Sequence, residues 1–184
     1  FEDSAQALGA KYKNKFAGFH ADLAVYSFEN KKHMTSGGEG GMVITSNEEL
    51  ATKVRKYAGI GYGNLTATTG RVSLASSEFQ NPLYKRHDSL GLNYRMTPLT
   101  ACIGLAQLER IEQLVERRIK VAEMFHSAIK NCSWMIPQEK IRDANHTYLT
   151  TGIKFLGEDR KLVSWKEFYE LYTSMGGDGF YSAW

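Results

Sequence analysis

The sequence predicts an α/β fold, and three local patterns carry that expectation. Ala21-Asp22-Leu23-Ala24-Val25-Tyr26-Ser27-Phe28 is rich in β-formers, and a second apolar run, Gly41-Met42-Val43-Ile44-Thr45, follows a glycine-rich bend. Ser46-Asn47-Glu48-Glu49 then opens a helix, so strand and helix patterns follow one another along the chain. Farther on, Thr97-Pro98 opens the longest helical pattern, with Thr as cap and Pro at the first position.

The elements are expected in this order. Ser4 to Leu8 reads as a short helix start after Asp3, with Gly9 as its stop. Ala21–Phe28 and Gly41–Thr45 are strands. Ser46 or Asn47 caps the next helix, Glu48 and Glu49 favour the positive end of its dipole, and Leu50, Val54 and Tyr57 fall on one face. Residues 59–86 are rich in Gly, Ser, Thr and Asn and form a long irregular segment, a length that usually signals function or mobility. The helix from Thr97 carries an apolar stripe of Ile103, Ala106, Leu108, Ile111, Leu114 and Val115, with Arg117, Arg118, Lys120 and Glu123 on the other side. It runs to about Lys130, long enough to predict a bend or a bridge between domains. Thr147–Phe155 reads as a strand. Ser164–Met175 reads as a helix capped by Ser164 and stopped by Gly176-Gly177. The change of pattern after Asn131 divides the chain into residues 1–131 and a smaller unit, 132–184.

Composition narrows the function. The 184 residues are 42% hydrophobic and 23% charged, enough for one globular core. A net charge of +3, without a basic run, points away from nucleic acid and from a membrane surface. Cys102 and Cys132 have neither metal-ligand nor disulfide-framework spacing, which fits a reducing cytoplasm. His33, His87 and His146 also lack metal-like spacing. The chain begins at Phe1 and stops within an aromatic segment, Phe180-Tyr181-Ser182-Ala183-Trp184, and so reads as part of a longer protein.

Chemistry gathers around Lys32. An amine presented at the end of a strand can form a Schiff base with an aldehyde cofactor. A lone lysine is usually a solvated charge, so its surroundings decide. Three segments supply them: Glu2-Asp3-Ser4-Ala5-Gln6-Ala7-Leu8-Gly9, then Ser27-Phe28-x-x-x-Lys32 with Gly-Glu-Gly-Gly at 38–41, then Leu90-Gly91-Leu92-Asn93-Tyr94-Arg95-Met96-Thr97. Their order and spacing resemble the sugar aminotransferases of the DegT/DnrJ/EryC1/StrS family, over essentially all of residues 2–131 and more loosely beyond.

The resemblance implies part of the large domain of a fold-type-I pyridoxal-phosphate transferase, a three-layer αβα sheet, with a long helix leading to a small α+β C-terminal domain. It implies roles as well. Asp3 would keep the cofactor's pyridine nitrogen protonated, Gln6 would bond its phenolic oxygen, and Ser27 would bond its phosphate. Lys32 would be the Schiff-base lysine and the acid/base that moves a proton between carbons. Asn93 would reach the phosphate of the other subunit in a homodimer, flanked by Tyr94 and Arg95. The activity implied is amino transfer from L-glutamate to a nucleotide-linked keto sugar in the cytoplasm, for surface polysaccharide or antibiotic-type sugars.

Other readings stand beside these. Asp3 can be a helix cap, Ser27 a sheet residue, and Asn93 and Arg95 braces for the long helix. Lys31 competes with Lys32, and only the Ser27 spacing favours the latter. The Gly37–Gly41 run lacks the Walker lysine pattern and reads as a tight bend. It also has one residue more between lysine and glutamate than the commonest family pattern. His33 beside Lys32 leaves room for the branch in which histidine replaces the lysine and the reaction is dehydration of a keto sugar. Family members carry a long segment ahead of Asp3, including a phosphate-binding loop. A non-catalytic module that binds cofactor weakly is therefore the remaining alternative.

Overall fold

In the computed structural model, which describes residues 1–178, the strands are β1 (Glu2–Asp3), β2 (Lys11–Tyr12), β3 (Lys15–Phe16), β4 (Ala24–Ser27), β5 (Gly41–Ile44), β6 (Met135–Pro137), β7 (Ala144–Asn145) and β8 (Ile153–Phe155). The helices are α1 (Glu48–Ala58), α2 (Ser76–Gln80), α3 (Pro98–Leu108), α4 (Ile111–Ala128) and α5 (Trp165–Ser174). The aromatic pair Phe180-Tyr181, singled out in the sequence, lies outside the described residues.

The central sheet has the order β1-β4-β5. β1 runs parallel to β4, with Asp3 opposite Val25, and β4 pairs antiparallel with β5, with Ser27 opposite Gly41. Ala24 is fully buried and Phe28 nearly so, which anchors β4 in the core. Both expected strands are present but shorter than the apolar runs that predicted them.

Capping chemistry fixes the helices as expected. Asn47 Oδ1 accepts from Leu50 N at 3.0 Å at the start of α1, and Thr97 Oγ1 accepts from Thr100 N at 3.3 Å at the start of α3. Ser164 and Glu167 form a reciprocal capping box on α5. The bend expected in the long helix from Thr97 takes the form of a break into two helices: Glu109 and Arg110 interrupt it, and Arg110, at φ −114° and ψ 11°, leaves the helical region.

Three expectations are corrected. Ser4–Leu8 is not a helix. It forms successive turns, with Ala7 N donating to Ser4 O at 3.0 Å and Ala10 N to Ala7 O at 2.9 Å, because so short a run cannot offset helix nucleation and Gly9 sits at φ 79°. Thr147–Phe155 is a strand only at Ile153–Phe155, since Tyr148 at φ 47° breaks the extended backbone. The 59–86 segment contains one short helix, α2.

A hairpin also emerges that the sequence did not reveal. β2 and β3 pair through Lys13 and Asn14, both at positive φ (47° and 61°), the signature of a type I′ turn. β7 adds to the other side of β2, so residues 144–145 join a sheet started by residues 11–12. Farther on, β6 pairs with β8, and Trp134, Phe155, Trp165 and Phe168 pack edge-to-face, with Trp134–Phe155 and Phe155–Trp165 centroids each 5.4 Å apart. Among the described residues no helix is long and apolar enough to cross a membrane.

Candidate active site

The parallel pairing of β1 with β4 turns the carboxyl ends of both strands toward one sheet edge, the place where open α/β sheets hold ligands. Ser4 N donates to Val25 O at 2.9 Å, which locks Asp3 beside Val25. Ser27 follows two residues later, about 7 Å along the strand at the usual rise. Asp3 is exposed, and its Oδ1 accepts from Ala5 N at 3.1 Å, so its carboxylate is held by an Asx-type turn rather than by a helix cap. Gln6 is exposed in that same turn. Ser27 is half-buried, and its Oγ accepts from Glu29 N at 3.3 Å.

Lys32 closes the turn that leaves β4. Its N–H donates to Glu29 O at 3.0 Å, and its carbonyl accepts from Arg118 Nη2 at 3.1 Å. The bend after it is tied back on itself. Phe28 N donates to Gly40 O at 2.8 Å, Asn30 N to Gly38 O at 2.9 Å, and Ser36 Oγ to Glu39 O at 2.9 Å. Gly37 (φ 96°) and Gly38 (φ 124°) take conformations that side chains resist. This is the tight bend read from the sequence. α3 covers it through Gly104, where a Cβ would meet Ser36 Cβ at 3.5 Å and Met34 Cε at 3.9 Å.

His33 is bound to a distant part of the chain. Its ring is 3% exposed and Nε2–H donates to Thr147 O at 3.3 Å, while Nδ1 is buried without a partner. Burial, then the Arg118 charge, holds its pKa below the usual imidazole value and keeps the ring neutral. Lys31 is exposed, whereas Lys32 is half-buried.

Arg118 corrects another expectation. Its place among the polar residues of the long helix suggests a solvated charge, yet it is half-buried and donates to both Lys32 O and Leu149 O. No local sequence signal marks it, because its partners are 86 and 31 residues away.

Glu2, next to Asp3, is a second residue that the motifs did not single out. Its carboxylate accepts from Ser4 Oγ at 3.0 Å, Gly18 N at 2.6 Å and His20 N at 3.1 Å. Burial raises its pKa, but these donors outweigh burial and leave it lowered. Tyr26 donates to Ala17 O at 2.5 Å, and burial, then the Glu2 charge, pushes its phenol up. Glu2 thus fixes the loop that leads into β4.

Asn93 has its partners elsewhere. Its backbone bridges to Gly59 at the end of α1, and its Oδ1 accepts from Arg95 Nε at 2.9 Å. The register of β1 on β4 brings Asp3 and Ser27 to one edge, Gln6 and Lys32 lie on the turns that follow these two strands, and Asn93 bridges through its backbone to Gly59 at the end of α1. Two concave surfaces lie along α4, one beside Arg117, Tyr148 and Thr151 and one beside Gln138 and His146. Among the described residues no cluster of His, Cys, Asp or Glu could hold a metal ion.

The ends of β1 and β4 and the turns after them carry a carboxylate, an amide, a hydroxyl and an amine, a chemistry that would fit the polar groups of pyridoxal phosphate. A family model for the DegT/DnrJ/EryC1/StrS aminotransferase family matches residues 1–170. GDP-perosamine synthase of Escherichia coli O157:H7 is 32% identical over 154 residues, covering 83% of this chain and 36% of that protein. The structure of an aminotransferase from Psychrobacter cryohalolentis superposes with a TM-score of 0.79 at 28% identity, over 95% of this chain and 45% of that one. At the level of fold alone, the E. coli GDP-4-keto-6-deoxy-D-mannose-3-dehydratase with bound hydrated PLP gives a TM-score of 0.75 at 23% identity, over 95% of this chain and 42% of that one. The chain spans about 36% of the length of that curated synthase. Its architecture is the expected α/β fold of fold-type-I pyridoxal-phosphate enzymes, and pyridoxal 5′-phosphate is the cofactor of the family. The chain belongs to the DegT/DnrJ/EryC1/StrS aminotransferase family.

Proposed function

We propose that this chain carries the lysine side of the cofactor site of a nucleotide-sugar aminotransferase, with L-glutamate as amino donor and a nucleotide-linked keto sugar as acceptor. The observation that carries the reading is the parallel register of β1 on β4, which opens Asp3 and Ser27 to one edge, with Lys32 on the turn five residues past Ser27. Bound pyridoxal phosphate would supply the electron sink for amino transfer.

The chain's own residues would do the rest. Asp3 holds a proton on the pyridine nitrogen by placing a negative charge beside it. Gln6 donates to the phenolic oxygen, and Ser27 donates to a phosphate oxygen. Lys32 Nζ anchors the cofactor and afterwards carries the proton between carbon atoms. The buried, neutral His33, turned to Thr147, favours Lys32 over the histidine of the dehydratase branch.

A homodimer and a cytoplasmic setting complete the reading. Leu90, Leu99, Leu105 and Leu108 are all exposed, and an apolar surface of that kind suits a subunit interface near Asn93, whose role is to reach the partner's cofactor phosphate.

Equilibrium retention of pyridoxal phosphate tests the proposal without requiring turnover. Asp3→Asn and Ser27→Ala are each expected to weaken retention about tenfold, the value of one lost charge-assisted contact. Unchanged retention in both variants would remove the proposed site.

A further inference from the structure

We infer that Arg118 is a positioning residue for Lys32: its guanidinium holds the Lys32 carbonyl to segment 147–149 and so sets where the Lys32 amine points. The inference rests on reading Lys32 as the cofactor-bearing amine.

The Arg118 fork spans two carbonyls, with Nη2 donating to Lys32 O at 3.1 Å and Nη1 to Leu149 O at 3.2 Å. Lys32 N is bound as well, to Glu29 O at 3.0 Å, so both backbone polar groups of the residue are tied down. The next residue repeats the tie, because His33 donates to Thr147 O at 3.3 Å. Arg118 and His33 thus grip the carbonyls on either side of Tyr148, itself 4% exposed and held at φ 47°. Tyr148 is braced in turn by the His126 ring, 5.7 Å away edge-on, and its N–H donates to His146 Nδ1 at 3.0 Å.

Lys32 Nζ, by contrast, makes no hydrogen bond or ion pair among the described residues. A lysine stem has four rotatable carbons, and its amine reaches one place reproducibly only if its root is fixed. Arginine suits the task because its planar fork satisfies two acceptors at once, whereas an ammonium at the same place is a single point.

The test uses the 184-residue chain as wild type, Arg118→Met and Arg118→Lys, with far-UV circular dichroism as the folding control. Backbone hydrogen exchange over residues 29–37 reads the tie without cofactor. Borohydride trapping with pyridoxal phosphate, followed by peptide mass mapping, reads the ratio of label on Lys32 to label on Lys31. In Arg118→Met, exchange over 29–37 is expected to accelerate about tenfold and the label ratio to fall about fivefold, with Arg118→Lys between it and wild type. Arg118→Lys decides the matter if Arg118→Met does not fold. Unchanged exchange and an unchanged ratio overturn the inference. A wild-type chain that labels Lys31 as readily as Lys32 overturns the reading of Lys32 instead, and the exchange rates then decide the tie alone.

Discussion

The His33 ring donates to the carbonyl of Thr147, a residue 114 positions away, and both are almost fully buried. That bond joins the turn carrying Lys32 to the C-terminal part of the chain. Burial of the ring makes the turn sensitive to pH as well, against the opposing pull of the Thr147 bond, which favours the protonated ring. Burial and the neighbouring Arg118, His146 and Lys32 charges lower the folded pKa of His33 below its ordinary 6.5. The stability from this neutral ring is then fully present above about pH 6.5 and is lost as pH falls through the folded value, because the unfolded chain takes up the proton first. Urea midpoints across about pH 5 to 7 are expected to fall with acid, and His33→Leu should flatten that slope. Burial lowers His146 too, so part of the slope will remain. An identical slope in the variant would contradict the assignment.

Glu2 acts at lower pH. Its carboxylate gathers Ser4, Gly18 and His20, and its folded pKa lies below 4.5. Its contribution is present above about 4.5 and disappears as pH falls through the folded value. Glu2→Gln is expected to cost about 1 kcal/mol at neutral pH, with less loss relative to wild type in acid. Urea titrations at both pH values would reveal it.

Gly18 packs against Tyr26. Its φ of 90° and the nearby Tyr26 hydroxyl leave no room for a Cβ. Gly18→Ala should therefore destabilise the chain by about 2–3 kcal/mol, part strain and part collision. Adding Tyr26→Phe removes the colliding oxygen, so the double-mutant cycle should show coupling of about 0.5 kcal/mol or more. Strict additivity would show that the hydroxyl adds nothing to a cost set by the backbone and by the ring carbon Cζ, which a Cβ would meet at 2.7 Å.

Asn47→Ala removes the side-chain cap of α1 and should cost about 1 kcal/mol. The loss should appear as faster exchange at Leu50 and Ala51 rather than in the central sheet.

Local chemistry explains what the sequence disclosed. Asn47, Thr97 and Ser164 announce their helices because a cap acts within three residues of itself. The Ser27-to-Lys32 interval was legible for the same reason, since one strand end and one turn contain it. The β2–β3 hairpin was not, because two-residue strands carry no alternation and Lys13-Asn14 lacks the usual glycine of a type I′ turn. Arg118 was misjudged, and the partner of His33 was not foreseen, because Lys32, Leu149 and Thr147 come to them only through the tertiary fold.

Lys32, and not Lys31 or another amine, is the residue proposed to take the cofactor. Pyridoxyl stoichiometry after borohydride reduction, measured in Lys32→Arg and in Lys31→Arg, tests it most directly. Loss of the specific adduct in Lys32→Arg and an unchanged adduct, mapped to Lys32, in Lys31→Arg are the expected results. An adduct that survives Lys32→Arg, or disappears in Lys31→Arg, would contradict that assignment.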